Sequence, residues 1–230
     1  MINTKGKLIV IEGVDGSGKE TQTKKLYERL LHEGLKIRRV SYPRYDNDSS
    51  ILVKKYLRGD FGEKPEDISP YIASTFFAID RYASYKEDYQ DFYNNGGIVI
   101  ADRYTTSNMV HQAGKIMDSI EREKYLDWLW DHEFNLYGLP IPDLVFFLDI
   151  PVEMNQMLME GRKNKFSGES QQDIHEKDTK HLIQSYENAS SLVDKYHWKR
   201  IRCIKEDKLL CVDEIHEMIY NIFMEEIHRC

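Results

Sequence analysis

Cysteine is scarce in this sequence, long apolar runs are missing, and positive charge is not in excess. The three cysteines, Cys203, Cys211 and Cys230, stand at spacings that match no disulfide framework and no metal-ligand pattern, which fits a reducing compartment. No apolar run approaches the ~20 residues that a membrane helix requires. The N-terminus, MINTKGK, leads straight into a strand-like run without the apolar segment of a secretory signal. These absences predict a soluble cytoplasmic protein that meets no membrane. A formal net charge of −7 argues against a nucleic-acid polymer as the main partner, so any role for basic residues must be argued locally. With 41% hydrophobic residues among 230 and no repeat or low-complexity linker, the expectation is one domain over residues 1–230.

What is present is an alternation. KLIVIE (7–12), KIRRVSY (36–42), GIVIAD (97–102), DLVFFLDI (143–150) and KRIRCI (199–204) are short apolar, β-branched runs, hence five candidate strands. Helix-length segments separate them; over residues 211–228, Ile215, Met218, Ile219, Ile222 and Phe223 recur on one helical face. Strands alternating with helices predict right-handed crossovers and an α/β fold: a five-stranded parallel sheet with helices on both faces, in three α/β/α layers. Such sheets bind ligands at the carboxyl ends of their strands, here IEG, YPR, ADR and LDI. The polar stretch GRKNKFSGESQQD, residues 161–173, reads as a mobile lid between helices.

The first strand end carries GVDGSGKETQ, residues 13–22. Strand, glycine-rich loop and helix in this order form a phosphate-binding loop, the hallmark of the P-loop NTPase fold. Gly13, Val14, Asp15, Gly16, Ser17 and Gly18 would wrap backbone N–H groups around ATP phosphates at a helix N-terminus, and Lys19 adds a point charge. Glu20 occupies the position where the pattern GxxxxGK(S/T) wants a hydroxyl. A carboxylate about 5 Å from one phosphate charge costs about 3 kcal/mol at an effective dielectric near 20. The helix terminus returns only about 0.3 to 1 kcal/mol. Glu20 therefore either turns to solvent, with Thr21 taking a phosphate oxygen, or approaches a metal ion whose charge reverses the problem.

The third strand end carries ADRYTTSNMVHQAG, residues 101–114. Its DRYxxSNxxxQ pattern resembles the signature of the thymidylate kinases, which pass the γ-phosphate of ATP to dTMP. EGVDGSGK, FFAIDR (76–81) and YGLPIPDLVFFLDIP (137–151) are similar to that family's phosphate loop, its F-x-x-x-R nucleobase motif and the approach to its fourth strand. The resemblance spans residue 7 to about residue 160. GKETQ also resembles the GKGTQ of adenylate kinases, which lacks the same hydroxyl. By resemblance, Asp15 accepts a hydrogen bond from the sugar 3′-hydroxyl, Arg103 and Arg44 clamp the dTMP phosphate, and Phe77 stacks on thymine. Arg81 and Asn108 read its polar edge beside Ser107 and Gln112, and Asp102 helps to hold Mg²⁺, with Glu20 a second candidate. The residues by themselves leave other readings open: Phe77 as core, Arg81 paired with a neighbouring carboxylate, Arg103 in a structural ion pair.

Two positions depart from the family pattern. Members place a catalytic arginine in the phosphate loop or in the lid. The loop position here is Gly16, so the lid must supply it, and Arg162, with Lys163 and Lys165, is the candidate beside Lys19, Asp15 and Arg103. His111 stands where the family usually packs Tyr or Phe against the deoxyribose; a smaller imidazole either loosens rejection of a 2′-hydroxyl or simply fills space. The other seven histidines show no metal-ligand spacing. Alternatives to dTMP phosphorylation are a related kinase for another nucleotide or deoxynucleoside, and a nucleotide-binding protein with impaired catalysis. The resemblance also implies a homodimer, for which SPYIASTFFAIDRY and KYLDWLWDHEF offer either a surface or more core.

Overall fold

The computed structural model describes residues 5–159 and 174–227. The lid expected at 161–173, with Arg162, Lys163 and Lys165, and the thiol of Cys230 lie outside the described residues.

Five strands form one parallel sheet: β1 (Lys7–Glu12), β2 (Ile37–Ser41), β3 (Ile98–Asp102), β4 (Leu144–Asp149) and β5 (Lys199–Arg202), in the order β2-β3-β1-β4-β5. Each expected strand is found, β1 with the expected bounds and the others shorter by one or two residues. Between them run α1 (Lys19–His32), α2 (Ile51–Arg58), α3 (Pro70–Ser84), α4 (Gln90–Asn94), α5 (Thr105–Ser107), α6 (Ser119–Trp130), α7 (Val152–Met159), α8 (Ile174–Lys177) and α9 (Thr179–Lys195), and α10 (Val212–Ile227) follows β5. π-Helical turns extend α3 at Tyr85–Tyr89 and follow α5 at Asn108–Gln112. A two-residue antiparallel ladder, Ile204–Lys205 against Lys208–Leu209, follows β5 and was not expected.

The period-2 alternation of the strands makes two cores. Leu8, Val10, Val99, Ala101, Val145 and Phe147 face one way, against Tyr85 and Tyr89, Leu126 and Leu129 of α6, and Leu192 of α9. Ile9, Ile11, Ile100, Leu144, Phe146 and Leu148 face the other way, against Leu26 and Leu30 of α1 and Ile215, Ile219 and Phe223 of α10. The three layers are thus dictated by which residues alternate. Local signals set the helix ends: Asp118 accepts from the Glu121 N–H at 2.9 Å, Asp178 from the His181 N–H at 3.0 Å, and Pro70 opens α3. Trp128 packs on Tyr71 and Tyr125, and Trp130 on Phe134 and Tyr196; both rings are half-buried, so KYLDWLWDHEF puts Tyr125, Leu126, Leu129 and Phe134 in the core and leaves Lys124, Asp127 and Asp131 exposed. Cys203 is buried and its thiol is pushed up to about 12, chiefly by burial, which keeps it protonated, whereas Cys211 is exposed.

Phe223, on the sheet-facing side of α10, is fully buried. Phe223→Ala is expected to lower unfolding free energy by about 3–5 kcal/mol in urea titration, the range for emptying a buried aromatic site.

Candidate active site

Residues 13–18 turn tightly from β1 into α1. A Cβ on Gly13 would stand 2.5 Å from Ser17 Oγ and 3.1 Å from the Leu148 carbonyl, so only glycine fits. Gly18, at φ 83°, adopts the left-handed conformation as N-cap of α1 and leaves that helix's first N–H groups facing the loop. Among the described residues the buried Ser17 hydroxyl has no hydrogen-bond partner. Lys19 Nζ folds back over the loop and donates to the Val14 carbonyl at 2.8 Å. Burial and neighbouring Arg103 bring its ammonium down to about 8, against the opposing pull of Asp15, Glu12 and Asp102. Glu20 and Thr21 lie on the exposed side of α1, while Gln22 and Thr23 are buried. Gly16, at φ 85°, brings no charge to the loop.

The loop faces the end of β3, because Ile11 pairs with Asp102 across the adjacent strands. Arg103, the next residue, is held at φ 66° while its N–H donates to the Ile11 carbonyl at 3.2 Å. Its guanidinium forms an ion pair with Asp15, reaches Ser107 Oγ at 3.4 Å, and donates toward His111 Nε2 at 3.2 Å. Burial alone would raise the Asp15 carboxyl, but Arg103, then Lys19, hold it far below the usual carboxylate range. Arg103, which burial would bring down, is raised by Asp15, Glu12 and Asp102. Asp102 is nearly buried, with the Ser41 hydroxyl at 3.5 Å.

Glu12 belongs to this network and was not singled out in the sequence. It is fully buried at the end of β1 and accepts from Thr106 and Ser107 hydroxyls, each at 2.7 Å, and from the Gly13 N–H at 2.9 Å. Arg103 Nη1 lies 3.8 Å away. The signal available was a carboxylate closing an otherwise apolar strand, which must be paired if it is buried.

The remaining expected residues divide into two groups. His111, Gln112 and Phe77 are not tied up by ion pairs: both amide atoms of buried Gln112, and His111 Nδ1, have no partner among the described residues. Phe77 is half-buried and meets Tyr56 edge-on at 6.2 Å. Arg81, Asn108 and Arg44 are engaged by protein. Arg81, 1% exposed, makes a bidentate pair with fully buried Glu133, at 2.7 and 2.6 Å. Asn108 donates to the Ser74 carbonyl at 3.3 Å, and Thr105 Oγ1 donates to Glu133 at 2.7 Å. Arg44 spreads its nitrogens over Asp80, Glu87, Asp88 and Ser49. Although the other seven histidines show no metal-ligand spacing in the sequence, His175 and His181 converge on His111, with ring centroids 5.9 Å from it and 4.6 Å from each other. Separations of six residues or more in sequence concealed this, because none is a helical i, i+3 or i, i+4 pair.

Replacing Glu133 by Gln leaves Arg81 charged and unpaired in the interior, and is expected to cost about 3–5 kcal/mol in denaturant titration. The apolar double replacement Arg81→Met/Glu133→Leu should recover most of that loss, which separates an unpaired charge from lost packing.

The glycine-rich loop, Lys19 and Arg103 lie together at the carboxyl ends of β1 and β3. A profile of the thymidylate kinase family matches residues 11–215. A thymidylate kinase of Mycobacterium tuberculosis is 31% identical over 172 residues, 74% of this chain and 78% of that protein. A probable thymidylate kinase of Pyrococcus abyssi is 26% identical over 223 residues, 97% of this chain and 98% of its own. The structure of thymidylate kinase from Candida albicans superposes with a TM-score of 0.72 at 21% identity, covering 96% of this chain and 92% of that one. That likeness gives the fold, a P-loop NTPase. With the profile spanning both the phosphate loop and the β3 turn, this chain belongs to the thymidylate kinase family.

Proposed function

We propose that the protein is an ATP-dependent phosphotransferase that moves the γ-phosphate of ATP to dTMP, yielding dTDP and ADP. The observation that carries this reading is Arg103: one guanidinium joins the phosphate loop, through Asp15, to the turn that bears Ser107 and His111. A donor nucleotide held by residues 13–21 and an acceptor held by that turn would meet across this side chain.

Phosphoryl transfer asks little covalent chemistry of the protein; positioning and charge neutralisation do the work. An acceptor phosphate oxygen is already ionised at neutral pH and attacks the γ-phosphorus in line, so no strong base is required. Lys19 would leave the Val14 carbonyl for the β- and γ-oxygens, whose charge favours its ammonium form. Arg103 would exchange part of its contact with Asp15 for the acceptor phosphate, and Asp15 would then accept from the sugar hydroxyl. Phe77 would stack on the base, with Gln112, whose amide has no partner among the described residues, reading its edge. Arg81 and Asn108 would serve this pocket from the Glu133 network, and Arg44 from its carboxylate cluster. Arg162 would supply the lid charge that Gly16 does not.

Mg²⁺ fits the donor set: Asp102 is a hard-oxygen ligand at a strand end beside Lys19 and Arg103, and exposed Glu20 offers a second carboxylate. When bound, the ion supplies charge neutralisation between the phosphates. We also infer a homodimer. Ile72, Ile79 and Tyr82 of α3 are exposed by 53, 42 and 39% on one face of that helix, an apolar surface that a second copy would cover. Among the described residues no helix is long and apolar enough to cross a membrane, and the reading places the enzyme in the cytoplasm.

In a coupled assay of ADP release with a panel of nucleoside monophosphates, dTMP should give the highest kcat/KM, and Lys19→Met should lower kcat by roughly 100-fold or more. ATP binding without turnover of any acceptor would instead identify a nucleotide-binding protein with lost catalysis. Because His111 replaces a larger ring at the sugar position, His111→Tyr is expected to raise the ratio of kcat/KM for dTMP over UMP. An unchanged ratio would mean that His111 fills space without setting sugar selectivity.

A further inference from the structure

His111, His175 and His181 come from three separate elements: the π-turn after β3, α8, and the first turn of α9. They are 5, 6 and 0% exposed. One ring nitrogen from each lies within 4.8 Å of the others. Nothing in phosphoryl transfer uses His175 or His181. Among the described residues, neither nitrogen of His181 has a hydrogen-bond partner, and His111 Nδ1 has none. Burying an unmatched polar atom costs about 1–3 kcal/mol, so an imidazole with two of them, packed on two more imidazoles, calls for a ligand.

We propose that His111, His175 and His181 form a metal site for a borderline divalent transition ion, zinc in the first instance. Imidazole nitrogens suit zinc, copper and nickel, whereas Mg²⁺ takes hard oxygen ligands, so this site is chemically distinct from the carboxylates near the phosphate loop. Tetrahedral zinc with Zn–N bonds of about 2.0–2.1 Å needs nitrogens about 3.3 Å apart, so the rings must close by up to about 1.5 Å, within the reach of small side-chain rotations. Burial holds all three imidazoles well below their usual range, His181 at about 4, so each is already in the neutral form that binds metal. Tyr56 Oη lies 2.8 Å from His175 Nε2 and accepts from Lys115 Nζ at 2.8 Å, a pair of outer contacts that orients one ligand. Lys115 opposes a cation by charge, but burial brings its ammonium down to about 7, which weakens that opposition at neutral pH. Three protein ligands leave the fourth position for water or a small anion.

The site would fasten α8 and α9 to the turn that carries Ser107 and Gln112. It also competes with a hydrogen bond. A neutral imidazole has one lone pair, and His111 Nε2 accepts from Arg103 at 3.2 Å. If His111 gives its lone pair to a metal through either nitrogen, it cannot also accept from Arg103. Metal on the histidines would thus release Arg103 toward Asp15 and the acceptor; this link, unlike the site itself, rests on the dTMP reading.

The test is to add Zn²⁺ alone to the metal-free full chain and measure bound metal by equilibrium dialysis with elemental analysis. One ion per chain is expected, with affinity reduced at least tenfold in His181→Gln and in His175→Gln and unchanged in His216→Gln, a buried histidine outside the cluster. Circular dichroism checks that the variants fold. Co²⁺ bound to the unaltered protein gives an independent readout: intense visible bands for tetrahedral nitrogen ligation, weak ones for octahedral oxygen. Absence of stoichiometric zinc, equal affinity in the cluster variants, or an octahedral cobalt spectrum would overturn the site. None of these needs turnover, so they stand apart from the outcome of the kinase assay. Where dTMP is turned over, zinc should shift its KM at least twofold and leave that of ATP unchanged; an unshifted dTMP value overturns the link to Arg103.

Discussion

Arg103 is the constraint around which the site is arranged. A non-glycine residue at φ 66° holds a backbone state that costs about 1–3 kcal/mol unless its surroundings fix it. Here the strand register fixes it: Ile11 pairs with Asp102, and the Arg103 N–H continues the ladder by one bond to the Ile11 carbonyl. The left-handed turn then directs the guanidinium back over β1 instead of along β3, where Asp15, Ser107 and His111 receive it. A relaxed backbone at this residue would send the charge elsewhere. Strain, register and ion pair are one device.

That device works because the neighbouring charges are built in before any ligand arrives. Glu12, Asp15 and Asp102 outnumber Lys19 and Arg103, so the two cations are held by carboxylates rather than by water. Glu12 is the least replaceable of the three in physical terms. Its four contacts, two hydroxyls, a backbone N–H and Arg103, tie β1 to the turn after β3. A preorganised field of this kind needs little reorganisation when charge moves during phosphoryl transfer.

The local features were legible in the sequence and the long-range ones were not. Five strands, the crossover pattern and the phosphate loop follow from alternation and from glycine positions that a Cβ would obstruct, and each is a property of a dozen residues or fewer. KYLDWLWDHEF was ambiguous because a helix with apolar residues on several sides fits a core and a surface equally; its tryptophans are half-buried, packed on Tyr71 and Tyr196. Arg81 shows the limit most clearly. Its spacing to Phe77 resembles the family's nucleobase motif, yet its bidentate partner is Glu133, 52 residues away in the sequence. Glu12 and the histidine cluster were hidden in the same way, by partners that only the topology brings together.

The two cores differ in how much polar side chain they bury. On the α1 and α10 side the interior is mainly aliphatic and aromatic, from Leu26 and Leu30 to Ile219 and Phe223, with Gln22, Thr23 and His216 the buried polar side chains of those two helices apart from Lys19, and the loop it supports presents mostly backbone groups. On the α3, α6 and α9 side, polar groups are buried above the apolar layer: Arg81 with Glu133, Asn108, Gln112, and the three histidines. Backbone N–H groups on a rigid apolar platform suit phosphates, which every nucleotide shares. Discrimination between bases and sugars requires side chains that can be paired or left unpaired, and burying them makes a mismatch costly. The polar interior of the second side therefore lowers the stability available from that layer, and under the proposed function it is the layer that would choose the ligand.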